Sequence, residues 1–264
     1  MRARFATGLV LGTINVVACT RQDGVARPLF SVSDRAAASY QSAALTFRTP
    51  GFQPSGLAYD GAILYVSDEG GYRTVYKLNP TTGAVLGSFP QGPNPNDIVY
   101  DWHGHLFVSD IGSRVYEITT DGIAVNSFAL PFRGGAIAFD GTNLYITDFD
   151  GYSVLVTDRL GTTVRQFDLP GIRPEGMVFD HHSRHLWVID EFNSKITELT
   201  TEGHVIRQCD GPQSPGIQGI GGLTMVGSTL YIAEVTDPDP FDNVQVPGTI
   251  YVVNPRTLPC SPAF

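Results

Sequence analysis

Acidic residues recur along this chain about every forty residues, each directly after a short apolar run. They are Asp68, Asp110, Asp148, Asp190 and Glu234. An active site needs one or two catalytic acids, whereas an acid that occurs in every copy is expected to have a structural role within each copy. An aspartate that accepts hydrogen bonds from the amides of the next turn has such a role. We therefore expect this set to stabilise turns.

A second set of residues, at the start of each copy, varies from copy to copy. It consists of Ser55, Asn96, Gly135, Glu175 and Gly221. Positions that fold alike carry similar residues, so this variation marks a position that is available for function. The oxygens of Asn96 and Glu175 suit a hard divalent cation such as Ca²⁺, which takes six or more oxygen ligands. The alternative is that both side chains cap nearby loop amides.

Two segments are unusually long: 210–222 precedes the last copy, and 235–248 interrupts it. Long loops in an otherwise economical repeat are usually functional. The second contains Asp237, Asp239 and Asp242, whose alternating oxygens resemble a calcium-binding loop but lack the glycine and the distal glutamate of an EF-hand. The alternative is a rigid polar loop without a metal.

Histidines form two clusters, in DWHGHLF and in DHHSRHLW. They are His103 and His105 in the second copy, and His181, His182 and His185 in the fourth. Several histidines in one turn can hold a borderline metal, and exposed turn residues are the simpler interpretation. We expect the third copy to separate the clusters. The chain has no G-x-S-x-G motif, which argues against Ser-His-Asp catalysis.

Five copies of one pattern position these residues. The copies start at residues 56, 97, 136, 176 and 222, and each of the first four contains four short apolar runs. This period predicts an all-β fold, a β-propeller of four-stranded blades. The fifth copy lacks its last strand, and ALTFRTP at 44–50 matches that strand. We therefore predict five blades closed by the N-terminal strand, which removes exposed sheet edges. PLFSVSD at 28–34 leaves six blades as the alternative.

The first strand of each blade in such a propeller lines the central channel. The predicted channel mouth therefore contains Ser55, Asn96, Glu175 and Gln218, on the face that carries both long loops. The histidine clusters fall on the opposite face, in the turns between first and second strands.

Composition and charge restrict the partners. The net charge of -9 excludes a nucleic-acid partner, because phosphate binding requires a basic surface.

The apolar run after Arg2 and Arg4 predicts a signal peptide at 1–18. Its end, VVAC, resembles the bacterial lipobox, so we expect lipidation at Cys19 and an envelope-anchored protein whose only membrane contact is the lipid. The alternative is an ordinary secretory signal and a periplasmic or secreted protein.

The domain boundaries follow from this interpretation: a tether over 19–43 and one propeller domain over 44–264, which we expect to be a monomer. Cys209 and Cys260 are the remaining cysteines, and export would allow a disulfide between them. The alternative is that Cys209 is a small buried residue, because the other copies carry phenylalanine at its position.

The pattern P-x-G, three apolar residues and Asp, then G-x-L-[YFW]-[VI]-x-D, resembles the NHL-repeat propellers and the SMP-30/gluconolactonase-like proteins over residues 44–258. Both belong to a propeller group that includes protein-binding scaffolds and metal-dependent lactonases. The resemblance to the second family implies a cation, commonly calcium, at Glu175 and Asn96.

Two functions remain open at this point. The first is a binding scaffold at the cell envelope, which takes a protein, small-molecule or carbohydrate ligand on the face of the two long loops. The second is a divalent-metal-dependent lactonase or esterase of the SMP-30 type, with Asp190 or Glu191 as catalytic candidates.

Overall fold

The computed structural model describes residues 45–70, 73–91, 95–169, 171–190, 193–212, 217–236 and 247–262. All of them belong to one compact unit, Tyr40–Phe264. The predicted signal peptide, the tether with Cys19, and the segment PLFSVSD lie outside the described residues. No helix within the described ranges is long and apolar enough to span a bilayer.

The described residues form twenty-one strands and no helix. The strands are β1 (Leu45–Arg48), β2 (Pro54–Tyr59), β3 (Leu64–Asp68), β4 (Thr74–Leu78), β5 (Val85–Pro90), β6 (Pro95–Tyr100), β7 (His105–Asp110), β8 (Arg114–Thr119), β9 (Ala124–Ala129), β10 (Gly134–Phe139), β11 (Leu144–Asp148), β12 (Ser153–Thr157), β13 (Thr163–Asp168), β14 (Pro174–Asp180), β15 (His185–Asp190), β16 (Lys195–Leu199), β17 (Val205–Asp210), β18 (Ile217–Val226), β19 (Thr229–Thr236), β20 (Thr249–Val253) and β21 (Cys260–Pro262).

These strands form five antiparallel sheets, which are the blades of a β-propeller. Blades one to four are β2–β5, β6–β9, β10–β13 and β14–β17, and blade five has the order β18-β19-β20-β1. The N-terminal strand β1 pairs with β20 from Leu45↔Val252 to Arg48↔Thr249, as predicted. The innermost strands contact one another in sequence, and β18 contacts β2. The propeller is therefore closed with five blades, and the six-bladed alternative is wrong.

The apolar core consists of five clusters, one between each pair of neighbouring blades. Side chains alternate along a strand, so the innermost strand of a blade serves both of its neighbours. In β2, for example, Leu57 packs toward blade five and Ala58 toward blade two. Burial falls outward, since the first and second strands are largely buried and the outermost strands expose most of their residues. The blades are therefore held together mainly by hydrophobic contact near the propeller axis.

A repeated contact between phenylalanine and glycine joins the rims of neighbouring blades. Phe89 of β5 lies against Gly122, in the turn before the outermost strand of blade two, where a Cβ atom would lie 2.4 Å from the ring. Gly122 also has a φ of +84°, so both space and backbone conformation require glycine. The same contact joins Phe47 to Gly83, Phe128 to Gly161 and Phe167 to Gly203.

Blade four carries Cys209 at this phenylalanine position. The next blade has no turn to receive a ring, because its outermost strand comes from the N-terminal side of the chain. Instead, β21 pairs with β17 so that Cys260 lies opposite Cys209, and a disulfide joins the two. Blade four therefore gains a fifth strand, and a covalent bond replaces the ring contact.

Candidate functional site

The starts of the innermost strands and the connections between second and third strands meet at one end of the channel. They enclose a cavity of about 400 Å³, here called the mouth cavity. Its lining includes Ser55, Asn96 and Glu175 together with Glu69 and Phe149. Residues that are about 40 and 80 positions apart in the sequence are therefore neighbours here, because the repeat places them at one level of the propeller.

Asn96 has the most unusual environment in this cavity. Its side chain is only 1% exposed, and neither Oδ1 nor Nδ2 has a hydrogen-bond partner among the described residues. An amide that is buried without partners destabilises a fold, since it has lost its bonds to water. The buried amide therefore has a donor group and an acceptor that no described residue uses.

Ser55 lies on the same wall and differs from Asn96 in this respect. Its hydroxyl is 3.1 Å from the hydroxyl of Ser67 and donates to the Pro95 carbonyl at 3.4 Å. The Ser55 side chain is therefore satisfied by the fold itself. Gly135 and Gly221, the equivalent residues in blades three and five, contribute no side chain, so Asn96 and Glu175 are the larger polar groups of the set.

Asp97 lies next to Asn96 and is completely buried. Its carboxyl group accepts the amide of Ile98 at 2.8 Å and that of Ile137 at 2.9 Å, and also that of Met177. It thereby joins blades two, three and four. Burial raises the pKa of Asp97 well above its usual range, and the charge of Glu175 raises it further.

Sequence reasoning missed Asp97, although the repeat contains a signal for it. The equivalent residues in the other copies are Gly56, Ala136, Gly176 and Gly222. A Cβ atom at Gly56 would lie 2.6 Å from the Asp97 carboxyl oxygen. Small residues around the channel therefore leave room for one acid, and that acid appears in a single copy.

Two guanidinium groups lie beside the mouth cavity. Arg133 and Arg173 are 4.6 and 5.4 Å from the centre of the Phe149 ring, distances at which a cation is attracted to an aromatic face. Arg133 also forms an ion pair with Asp150 at 2.9 Å. The rim thus combines acids with cations, and Arg133 partly balances the charge of Asp150.

Three of the recurrent acids bind the turns that follow them. Asp68 accepts the amide of Gly70, Asp110 that of Gly112 at 2.7 Å, and Asp148 that of Asp150 at 3.1 Å. Asp68 also accepts the amide of Gln53, in the segment before β2, at 3.2 Å. Burial raises the pKa of Asp68. These bonds agree with the predicted role in turns.

Asp190 is a partial exception among these acids. It is 1% exposed, and its Oδ2 accepts the side-chain amide of Asn193 at 2.8 Å. Its Oδ1 has no partner within the described ranges. Asp190 does not line the mouth cavity, and Glu191, the other catalytic candidate, lies outside the described residues.

The two long segments are only partly described. The first segment is predicted from the sequence to be a loop over residues 210–222. Strand β18 begins at Ile217, so that prediction is wrong from Ile217 onward. Bulges between Ile217 and Gly219 and between Ile220 and Leu223 let this glycine-rich segment extend the sheet, and Gly219 and Gly221 line the mouth cavity. The side chain of Gln218, and Asp237, Asp239 and Asp242 of the second segment, lie outside the described residues.

One set of side chains has the geometry to hold a metal. Single ligand atoms of Asp101, His105 and Glu117 lie within 4.8 Å of one another. However, the Arg159 guanidinium already binds Asp101 at 2.6 Å and Glu117 at 2.9 Å. Burial alone would raise the pKa of Asp101, but the amides of His103 and His105 and this guanidinium lower it. A cation that belongs to the protein therefore already occupies the position of a metal.

Blade four repeats this arrangement with a single acid, Glu198. His185 contacts Glu198 at 2.8 Å, and Arg207 binds the same carboxylate at 2.6 Å. The recurrence favours a structural role for both histidine–glutamate pairs.

The two turns that carry the histidine clusters are in contact. The expectation that blade three separates them is wrong, because the rings of Trp102 and His181 are 5.7 Å apart. Five blades give a propeller so narrow that turns of non-adjacent blades touch.

Comparison with known proteins supports the fold. No protein-family model matches the chain. It is similar to the glutaminyl cyclase of Myxococcus xanthus, with a TM-score of 0.64 and 12% identity over 82% of this chain and 95% of that one. It is also similar to a chain of a nidogen/laminin complex, with a TM-score of 0.52 and 21% identity over 69% and 72%, and to a streptogramin B lyase, with a TM-score of 0.48 and 16% identity over 76% and 75%.

At these identities the likeness concerns the fold and not the activity. The fold and the cavity define the chain as a five-bladed β-propeller with a ligand-sized opening at one end of its channel.

Proposed function

We propose that this chain is an exported binding protein that holds a small polar ligand in the mouth cavity. The observation that carries the proposal is the Asn96 amide, which is buried at the cavity wall with neither polar atom bonded to a described residue. A ligand that presents an acceptor and a donor side by side would satisfy both atoms. The cavity volume of about 400 Å³ lies within the range of about 300–1,000 Å³ that is usual for small-molecule sites.

The lining specifies the chemistry of the ligand further. The lining includes the ring of Phe149, beside which Arg133 and Arg173 lie, and the carboxylates of Glu69 and Glu175. Hydroxyl groups donate to carboxylates and exchange hydrogen bonds with an amide, while the apolar face of a sugar packs on an aromatic ring. A carbohydrate of one or two sugar units therefore fits this site better than a purely apolar compound.

The test is a thermal-unfolding screen of the full chain against glucose, galactose, N-acetylglucosamine and their disaccharides. A binding sugar should raise the melting temperature of the wild type, since it stabilises only the folded state, and Asn96→Leu should abolish that rise. Asn126→Leu is the matched control, because Asn126 is exposed on the outer strand β9. An equal rise in wild type and Asn96→Leu, or no rise with any sugar, would refute the proposal.

A divalent-metal-dependent hydrolase is the second candidate. It is favoured by the meeting of Asn96 and Glu175 in one cavity, because both supply oxygen atoms of the kind that Ca²⁺ prefers. Asp97 would not be a ligand, since both of its oxygens accept backbone amides. Calorimetry with Ca²⁺ and Zn²⁺ on wild type and Glu175→Gln tests the idea, and binding that ignores the substitution would contradict it.

We also propose that the chain is exported and lipidated at Cys19. The Cys209–Cys260 disulfide supports export, because disulfides persist mainly in oxidising compartments. Cys19→Ser should move the protein from the membrane fraction to the soluble fraction of the cells that make it. A wild-type protein that is already soluble would argue for the ordinary secretory signal.

A further inference from the structure

The end of the channel opposite the mouth has a cavity of its own, here called the aromatic cavity. The innermost strands run from the mouth toward this end, and their last residues and following turns enclose about 250 Å³. Aromatic side chains from four blades line it. They are Tyr59, Tyr100, Trp102, Phe139, Phe179 and His181.

Trp102 and His181 are the unrepeated members of this lining. Trp102 follows Asp101 and His181 follows Asp180, at the end of the innermost strand. The other three copies carry Gly61, Gly141 and Gly227 at this position. Those glycines have φ values of +102°, +99° and +61°. Trp102 keeps a left-handed backbone, with a φ of +62°, although that conformation is unfavourable for a bulky residue. A strained tryptophan in a glycine position suggests a function for its side chain.

The two substituted positions meet over the end of the channel. The rings of Trp102 and His181 are 5.7 Å apart, and each also contacts an aromatic ring of its own blade, Tyr100 at 5.6 Å and Phe179 at 4.9 Å. Trp102 is nevertheless 50% exposed, so its ring is accessible. Partial burial lowers the pKa of His181, against the nearby charges of Asp140 and Asp180, which keeps this ring uncharged at neutral pH.

The charges around the aromatic cavity are mainly negative. Asp180 lines it, and Asp60 and Asp140 directly follow its residues Tyr59 and Phe139. Within the described ranges these three carboxylates accept hydrogen bonds from backbone amides, hydroxyls and a side-chain amide, and none forms an ion pair. Asp101 is neutralised by Arg159. Two cations oppose these charges. Arg184 is exposed in the same turn as His181, and the Arg159 guanidinium lies 5.6 Å from the centre of the Phe139 ring.

We propose that the aromatic cavity binds a small organic cation, a quaternary ammonium or a protonated amine. Aromatic faces attract such cations through their quadrupole, and desolvation strengthens the attraction. The negative charge of the surrounding carboxylates also attracts a cation. The volume lies below the range of about 300–1,000 Å³ for drug-sized ligands, so the ligand is small. This site is independent of the mouth cavity and of the function proposed for it.

Choline and its neutral isostere 3,3-dimethylbutan-1-ol form a matched pair of probes for this proposal. The chain has two tryptophans, and Trp187 is buried at 2% exposure, so choline should change mainly the fluorescence of Trp102. The expected result is saturable binding of choline to the full chain, at least tenfold tighter than binding of the alcohol. Sodium chloride at equal ionic strength corrects for screening.

Two variants test the role of Trp102 by calorimetry. Trp102→Gly restores the residue of the sister blades and should weaken choline binding at least tenfold, whereas Trp102→Phe keeps an aromatic face and should bind within a few-fold of wild type. The proposal is overturned if choline and the alcohol bind equally, if Trp102→Gly binds choline like wild type, or if choline shows no saturable binding at about 100 mM, where a Kd of about 10 mM would be saturated.

Discussion

Replacing Asn96 by leucine should make this protein more stable, although most substitutions of buried residues do the reverse. Both polar atoms of the Asn96 side chain are buried without a partner among the described residues. Leucine has the branched shape of asparagine, with two methyl groups in place of the amide oxygen and nitrogen, and it has no polar atoms to desolvate. The substitution therefore removes an unfavourable contribution from the folded state and leaves the unfolded chain little changed.

The magnitude follows from the number of unsatisfied atoms. Each buried donor or acceptor without a partner costs about 1–3 kcal/mol. Two such atoms at the lower end of that range give a gain of about 2 kcal/mol for Asn96→Leu. For a domain of 150–250 residues, about 1 kcal/mol shifts the melting temperature by about 2–4 °C, so a rise of about 4–8 °C is expected.

Ser55→Ala provides the matched control on the same wall of the mouth cavity. The Ser55 hydroxyl is bonded to Ser67 and to the Pro95 carbonyl, so its removal should cost about 1 kcal/mol. Urea and thermal unfolding of wild type and both variants measure the two effects. A gain in the free energy of unfolding for Asn96→Leu and a loss for Ser55→Ala would show that Ser55 is hydrogen-bonded within the fold and that Asn96 is not.

A loss of stability in Asn96→Leu of about 1 kcal/mol or more would refute the reasoning. That result would mean that the Asn96 amide is hydrogen-bonded in the folded protein without any ligand. The main support for the mouth cavity as a binding site would then be lost. A gain in stability together with lost ligand binding is the combination expected of a residue kept for function.

Two further predictions concern the channel and the rim. Burial raises the pKa of Asp97 in the folded protein, whereas an aspartate of the unfolded chain ionises near pH 4, so stability from this group should fall as pH rises above about 4. Urea unfolding between about pH 4 and 8 should show a shallower decline in Asp97→Asn, and identical slopes would mean that the carboxyl ionises normally. The Cys209→Ser/Cys260→Ser variant opens a link between residues 51 positions apart, and chain-entropy arguments predict a loss of up to about 4 kcal/mol. Unfolding with and without dithiothreitol checks this, and a loss within experimental error would show that β21 adds no constraint.

The repeat allowed prediction of features that each blade forms for itself. Blade number, the closing role of β1 and the turn-binding acids such as Asp68 depend on the pattern of one copy and on the count of copies. The predicted mouth residues Ser55, Asn96 and Glu175 line one cavity, because equivalent residues of a closed propeller lie at one level around its axis.

Contacts across the axis could not be predicted in the same way. The pairing of Trp102 with His181 and the three amides around Asp97 depend on the width of the channel. That width follows from five blades and from the small residues between them, which no single copy specifies. The histidine–glutamate pairs, such as His105 with Glu117, were missed because they join neighbouring strands at a register that the sequence does not define.

Strands β1 and β21 are attached to the rim of the propeller by different kinds of bond, and they therefore differ in how they can be released. On the N-terminal side, four residues of β1 are held to β20 by backbone hydrogen bonds and by the Arg48 side chain, which donates to the Pro247 carbonyl at 3.1 Å and to the Thr249 hydroxyl at 2.9 Å. On the C-terminal side, β21 is held to blade four by a covalent bond. A mechanical pull on the chain ahead of Leu45 would therefore detach β1 and leave β21 in place. Blade five would re-form when the load was removed, whereas release of β21 from its cysteine partner requires a reductant.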